Sequence, residues 1–470
     1  MKRQITRRKF LRGTALAITL PAVPVEVLAQ TTRQRLEWQA FKTTTQYDSL
    51  LSAIAKMKAN TNPADPASWS YWVNIHHNQC PHGVAYFLAW HRGYLYYLER
   101  QLKAVSGNAN LTLPYWDYYL YSNIPEEFTN PASPLYVPRA NVDVRQALSL
   151  APFSSTLTSF PNGTKQAFEP SIETAPHNQL HNLVGEVMST MDSPVDPIFW
   201  LHHANVDRLW VAWIAAGNGR KMPSISNIYW QGSHKYNTLT LRRSYTSDAK
   251  RFLYYTYQNE TFPTALPPTT AAKEIQPELT KQGTALFAPP ATESFAVAIP
   301  GETSGSTFSI GGARNLGLSR RSVSAQISVP SDQWLAVKQI LEGRPTNIPG
   351  STKVYNSVHL VLDNIELQDG GKRGGYFYRI YLTVPSLAEE DKIPPLYLGG
   401  VGPFEVNAAS HHGNAQLRYS IGKQLSRMSK LRAVSVTVSF VRVDGDNSPD
   451  GAAIGIGEAR LELSTKEEKP

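Results

Sequence analysis

The chain has 470 residues, 41% of them apolar and 18% charged, and its 30 glycines bring the apolar-plus-glycine share to about 47%, which excludes intrinsic disorder. Length alone allows about three domains, and two larger ones fit equally well. The formal net charge is +9, but in residues 1–29 six basic side chains against Glu26 supply +5, so only +4 is left for the rest, too little for a nucleic-acid footprint.

Residues 1–29 read as an export signal. Thr6-Arg7-Arg8-Lys9-Phe10-Leu11 is a twin-arginine pattern, Ala15–Val25 is apolar but too short to span a bilayer, and the small residues Val27 and Ala29 set cleavage after Ala29. That route carries folded proteins, often around a bound cofactor, so a periplasmic or secreted location is expected. Cys80 is the only cysteine, which excludes an internal disulfide and leaves the thiol either buried and inert or committed to another bond. No later stretch has the ~18 consecutive apolar residues of a membrane span, so no membrane insertion of the mature protein is expected.

From about Arg33 to Gly217 the hydrophobic periodicity is mainly helical, and a first domain is drawn at 30–260. Ala85–Val105 puts Phe87, Leu88, His91, Leu95, Leu98 and Leu102 on one stripe, with Gly107 as the stop. A second core helix opens with Asp196 as N-cap and Pro197 at the first turn, runs through Trp213 and ends at Gly217. Between them, residues 119–170 are rich in Pro, Asn, Ser and Thr and predict a long irregular connection. A Pro/Thr-rich linker is expected at 261–291. Beyond it, 292–470 alternates with period two in Ser322–Val329, Val358–Leu362, Tyr376–Val384, Ala433–Val443 and Ala459–Leu463, which predicts a β-sandwich or barrel. The fold class is therefore α+β.

Histidine placement carries the chemistry. Eight of 12 histidines are His76, His77, His82, His91, His177, His181, His202 and His203. His177 and His181 lie four apart and on a helix project from one face. His91 sits mid-face on the first core helix and His203 at the equivalent place on the second, each four residues after a phenylalanine, Phe87 and Phe199. Two such helix pairs predict a four-helix bundle with a metal site in its core, because burying so many imidazoles without a partner is costly. Cysteine clusters, His-Glu-x-x-His and a His-plus-carboxylate triad are all missing, and a set of six imidazoles suits copper. Three neutral imidazoles per ion tolerate both Cu(I) and Cu(II), and a pair roughly 3.5–4 Å apart can bind and reduce dioxygen.

The stretches Asn74-Ile75-His76-His77, Cys80-Pro81-His82-Gly83, Phe87-Leu88-Ala89-Trp90-His91-Arg92, Pro176-His177-Asn178-Gln179-Leu180-His181-Asn182 and Asp196-Pro197-Ile198-Phe199-Trp200-Leu201-His202-His203-Ala204-Asn205-Val206-Asp207-Arg208-Leu209-Trp210 resemble the tyrosinase, catechol oxidase and haemocyanin family of type-3 copper proteins, over about residues 33–217. The resemblance implies that His76, His82 and His91 hold a first copper and His177, His181 and His203 a second. The six-residue step from His76 to His82 is short for the family and leaves His77 open as the ligand in place of His76, whereas the preceding Asn74-Ile75 favours His76. His202 stands outside the ligand set, beside His203.

Other roles follow from the same likeness. Cys80, two residues before His82, matches a thioether to that histidine. Glu173 and Asn178 match a pair that holds a water able to take the phenol proton, with Glu169 in reserve. Asn182, after His181, would touch substrate at a tolerant entrance, and Thr190, 13 residues before His203, would gate the second copper. Asp207, Arg92 and Arg208 read as structural, and His411 and His412 as surface residues. Val358–Leu367, Gly375–Leu382 and Gly455–Leu463 look similar to the C-terminal domain of plant polyphenol oxidases, which covers the copper site and keeps the enzyme latent; a plain accessory domain is the alternative. A lid implies an aromatic or aliphatic plug, sought in Pro394–Phe404.

The expectation is thus an exported oxidase with two coppers and O2 as co-substrate, which ortho-hydroxylates monophenols and oxidises o-diphenols to o-quinones. A catechol or o-aminophenol oxidase without monophenolase activity is the alternative, and a haemocyanin-like carrier the rival from another class. Phenolic small molecules are the expected partners, and an oligomer is left open.

Overall fold

A computed structural model describes residues 31–163, 167–268, 292–298, 300–349, 351–384, 394–411, 413, 415–421 and 435–466. The expected signal at 1–29, most of the expected linker (269–291) and His412 lie outside the described residues.

The first unit is helical around an aromatic core. Strand β1 (Arg33–Arg35) precedes α1 (Gln46–Ala59), α2 (Trp69–Gln79) and α3 (Phe87–Ser106), and after a long irregular stretch come α4 (Gln179–Val184) and α5 (Ile198–Ala215). The stripe read from sequence is the buried face of α3, and Gly107, in the left-handed region at φ 74°, closes it by donating to the Lys103 carbonyl. Helix α5 is buried almost all round, as its near-continuous apolar run requires. The Asp196 carboxylate accepts from Ile198 N–H at 2.9 Å and from Arg139, so it fixes the entry to α5 and ties down the loop in front. Among its described residues, the stretch 119–170 holds only short helical turns.

The unit closes on itself after α5. A hairpin, β2 (Ser233–Tyr236) and β3 (Leu239–Arg242), is followed by β4 (Tyr255–Tyr257), which pairs in parallel with β1. Residues 261–268, the described start of the expected linker, dock on this core: Phe262 stacks on Phe153 at 5.4 Å, and the Pro267 carbonyl accepts from Arg145.

The second unit is a β-sandwich. One sheet runs in the order β13 (Gln416–Ser420), β10 (Ser357–Leu367), β15 (Ile454–Ser464), β8 (Thr307–Leu318), β6 (Ala296–Ala298), with β7 (Gly301–Ser304) also on β8. The facing sheet runs β12 (Leu396–Val401), β11 (Tyr376–Thr383), β14 (Ser435–Asp444), β9 (Val323–Ser328), β5 (Thr292–Glu293). Their inner faces make a separate core of Val, Ile, Leu and aromatic side chains, the consequence of period-two alternation. Two helices, α6 (Ser331–Leu341) and α7 (Pro403–His411), complete it.

The sandwich is fastened onto the helical unit around α4. Gly375 N–H donates to the Asn182 carbonyl at 2.8 Å, Glu186 N–H to the Arg373 carbonyl at 2.7 Å, and Asn447 N–H to Asn141 Oδ1 at 2.7 Å. Gly185 sits at φ 68°, and a Cβ there would lie 2.7 Å from the Arg373 carbonyl oxygen, so this approach needs glycine on both counts.

Candidate metal centre

Four segments bring the histidines together. His76 comes from the last turn of α2, His82 from the following loop, and His91 from α3. His177 enters through a break at Ala175 (φ −155°, ψ 131°), so the chain re-enters helix with His177 and His181 one turn apart. His202 and His203 come from α5.

The rings form two adjacent triangles. In the first, ring centroids are 5.4 Å apart for His76–His82, 5.6 Å for His76–His91 and 5.5 Å for His82–His91. In the second they are 4.6 Å for His177–His181, 4.8 Å for His177–His203 and 5.8 Å for His181–His203. His91 of the first and His203 of the second, the two mid-face histidines, stack on each other at 4.3 Å.

Hydrogen bonding fixes how several rings face. Nδ1 of His76 donates to the Met191 carbonyl at 2.8 Å, that of His91 to the Phe87 carbonyl at 2.8 Å, and that of His181 to the Met188 carbonyl at 2.6 Å. A carbonyl only accepts, so these bonds assign the proton to Nδ1 and leave the Nε2 lone pair facing the interior. Nε2 of His76, His91 and His181 has no hydrogen-bond partner among the described residues, although each is buried. Nε2 of His177 and of His203 approach each other to 3.2 Å, a pair of donor atoms that a shared cation would satisfy. Burial holds these imidazoles neutral: the His91 pKa is pushed down to about 3 and that of His181 to about 4, and those of His76, His177 and His203 also lie well below normal. Neutral imidazole is the metal-binding form. The donor set therefore fits a dinuclear copper site.

Both alternatives left open at the first triangle can be read from the geometry. His77 turns outward, 38% exposed, with Nδ1 on Asp192 Oδ1 at 2.8 Å, whereas His76 is fully buried in the cluster. His411 is exposed, as expected, and its ring lies 4.5 Å from that of His77. Cys80 is buried with its Sγ 3.3 Å from His82 Nδ1.

Among the carboxylates, Glu173 is buried rather than solvated, 4% exposed, and its Oε1 accepts from Gly83 N–H at 2.6 Å, beside His82. Burial raises its pKa well above the usual range, with neighbouring Glu169 and Glu405 adding to the rise. Glu169 is spent on structure, since it accepts from Leu88 N–H, Asn162 N–H and Tyr229 O–H. Asn178 holds His177 Nδ1 at 2.7 Å through Oδ1. Asp207 accepts from Arg92 at 2.6 Å and from the hydroxyls of Tyr255 and Tyr257 at 2.6 Å each, a buried brace behind His203; Arg208 pairs with Asp117 at 3.2 Å.

Two residues expected at the entrance are held by neighbouring groups. Asn182 is fully buried, because the sandwich covers it: its Nδ2 donates to Glu405 at 2.8 Å and its Oδ1 accepts from Phe404 N–H at 2.7 Å. Thr190 is tied to its own turn, its hydroxyl donating to the Val187 carbonyl at 2.8 Å and accepting from Asp192 N–H. Phe404, the last residue of the segment searched for a plug, is 1% exposed and stacks on His181 at 4.3 Å, with His82 at 5.3 Å and His177 at 5.7 Å. Glu405 carries no signal in the sequence that would mark it as part of the site. Burial pushes its pKa up to about 7, and Asn178, Asn182 and Gly402 N–H all bond to its carboxyl.

Residues 53–146 and 129–216 match the family model described as the common central domain of tyrosinase. A tyrosinase of Hahella sp. (strain CCB-MM4) is 33% identical over 190 residues, 32% of this chain and 40% of that protein. Hemocyanin 1 of Megathura crenulata is 29% identical over 213 residues, 38% of this chain and 6% of that protein. The chain thus spans less than half the length of these relatives. The structure of latent apple tyrosinase superposes with a TM-score of 0.51 at 18% identity, covering 92% of this chain and 97% of the apple chain, so the likeness in fold includes the sandwich. The helical unit thus matches the common central domain of tyrosinase, and the histidine clusters inside it fit a type-3 copper site.

Proposed function

We propose that the chain is an exported dicopper phenol oxidase that ortho-hydroxylates monophenols and oxidises o-diphenols to o-quinones, and that its sandwich keeps it latent. The observation that carries the reading is the convergence of His76, His82, His91, His177, His181 and His203 in one cluster, all buried but the half-buried His82, with the Nδ1 atoms of His76, His91 and His181 spent on carbonyls. A copper pair held there supplies the two-electron reduction of O2 on which both reactions depend.

The protein's own groups do the rest. Asn178 holds the His177 ring in place. Glu173 is the proton acceptor for the incoming phenol, and in the covered site burial raises its pKa and so disfavours the carboxylate form. Displacing the sandwich removes Glu405, one of the groups that raise the Glu173 pKa, and so favours the carboxylate form that a base requires. Phe404 meanwhile occupies the space in front of His82, His177 and His181 where a phenol ring would stack. Cys80 would be joined to the His82 ring as a thioether, in keeping with its 3.3 Å approach: the S–H and a ring C–H would give way to an S–C bond, the two electrons and two protons passing to O2, and the intact mass would be lower by two hydrogen atoms.

The similarity to a haemocyanin and the covered site favour one second reading, an oxygen carrier. The test is oxygen uptake by the copper-loaded chain given a monophenol, with its catechol as reference, before and after limited proteolysis within 261–291. Uptake from the monophenol after cleavage supports the proposal. Uptake from the catechol alone removes the hydroxylase, and silence on both substrates favours the carrier.

A further inference from the structure

The two histidine doublets behave differently. On a helix, adjacent side chains diverge by roughly 100°, so one member of a doublet that faces a core normally turns away. His76 and His77 obey this, since His76 is buried and His77 bonds Asp192 at the surface. His202 and His203 do not, for both are fully inside.

The surroundings of His202 are those of a ligand without its ion. Its ring lies 5.2 Å from that of His177, 5.1 Å from His181 and 5.1 Å from His203. Neither Nδ1 nor Nε2 has a hydrogen-bond partner among the described residues, and the ring is 0% exposed. A space-filling role against Tyr118, 5.7 Å away, would be served by phenylalanine without burying two unsatisfied nitrogens. His177, His181, His202 and His203 each offer a ring nitrogen, and all four atoms lie within 4.8 Å of one another.

We propose that His202 is a fourth ligand of the second pocket, engaged when that pocket holds Zn2+. Zn2+ has no d-electron preference and takes four nitrogen donors tetrahedrally at about 2.0–2.1 Å, whereas Cu(II) favours tetragonal sites. The four imidazoles need only close inward by small ring movements to meet one ion, and a set of four neutral nitrogens holds Zn2+ more tightly than three. The inference rests on the two-pocket metal reading above and adds a donor that the six-histidine set leaves out.

The experiment uses the full chain stripped of metal. Zinc alone is titrated in against a chromophoric chelator for the unmutated protein, His202→Gln and His202→Phe, with circular dichroism as the folding check. The expected result is two zinc sites in the unmutated protein, one of them weakened at least tenfold in both variants and the other unchanged. On the unmutated protein with one equivalent of zinc, X-ray absorption should give four nitrogen neighbours, a readout that needs no variant to fold. Unchanged zinc affinities at both sites in a folded variant, or three nitrogens and an oxygen around that first zinc, would overturn the role of His202 and leave the dicopper reading standing. A protein that binds neither zinc nor copper would overturn both.

Discussion

Phe404→Ala should turn a latent protein into an open one. The Phe404 ring is 1% exposed and faces imidazoles of the other unit, so its burial is a contribution to docking as much as to the sandwich's own core. Truncating a buried Phe to Ala costs about 3–5 kcal/mol. The low end, about 3 kcal/mol applied to docking, raises the open fraction roughly 150-fold, and the vacated ring space also lets a phenol approach without full opening. The assay is the initial rate of catechol oxidation by the copper-loaded chain before and after limited proteolysis within 261–291. For the unmutated protein the ratio of the two rates should be large; for Phe404→Ala it should fall towards one, with equal rates after cleavage. An unchanged ratio in a variant that still holds two coppers would refute the stopper role.

Other consequences are open to direct measurement. Docking of the sandwich should weaken as pH rises: the Glu405 pKa is raised from 4.5 to about 7 by burial, so the docked state binds the proton more tightly than the free one. Docking is therefore strongest below about 4.5 and loses up to about 1.4 kcal/mol per pH unit up to about 7; latency followed from pH 5 to 8 should fall, and Glu405→Gln should flatten the profile. Gly402→Ala should also loosen the cover, because a Cβ there would meet Asn182 Oδ1 at 2.5 Å; proteolytic susceptibility reads this out. Asp207→Ala leaves Arg92 and two tyrosine hydroxyls without their acceptor, and should cost about 3–5 kcal/mol in denaturant unfolding. His76→Ala should lose one metal, whereas His77→Ala, at the surface, should keep both by elemental analysis.

The parts of this molecule that local periodicity governs are legible in the sequence. Helices α3 and α5 follow from stripes of apolar residues with histidines at mid-face, and the strands at Val323–Ser328, Ser357–Leu367 and Tyr376–Thr383 follow from alternation. Strand β8 does not stand out, because Gly311, Gly312 and Gly317 interrupt its pattern, and α7 is too weakly amphipathic to be distinguished from a loop. The metal cluster is readable because an imidazole in the middle of an apolar helical stripe is costly to bury and so calls for a partner. The cover is legible only through its resemblance to plant polyphenol oxidases, which places a plug in Pro394–Phe404; the burial of Asn182 and the raised pKa of Glu405 depend on how two units dock, and docking leaves no period in either segment. The two doublets, His76-His77 and His202-His203, are alike as text and differ only in their environments.

Copper content tests the central claim most directly. Elemental analysis of the full chain, loaded with copper and dialysed against a weak chelator, should give two coppers per chain, falling to one in His91→Ala and in His181→Ala. A ratio of zero or one in the unmutated protein, or two coppers that survive both substitutions, would contradict a dinuclear centre built from these histidines.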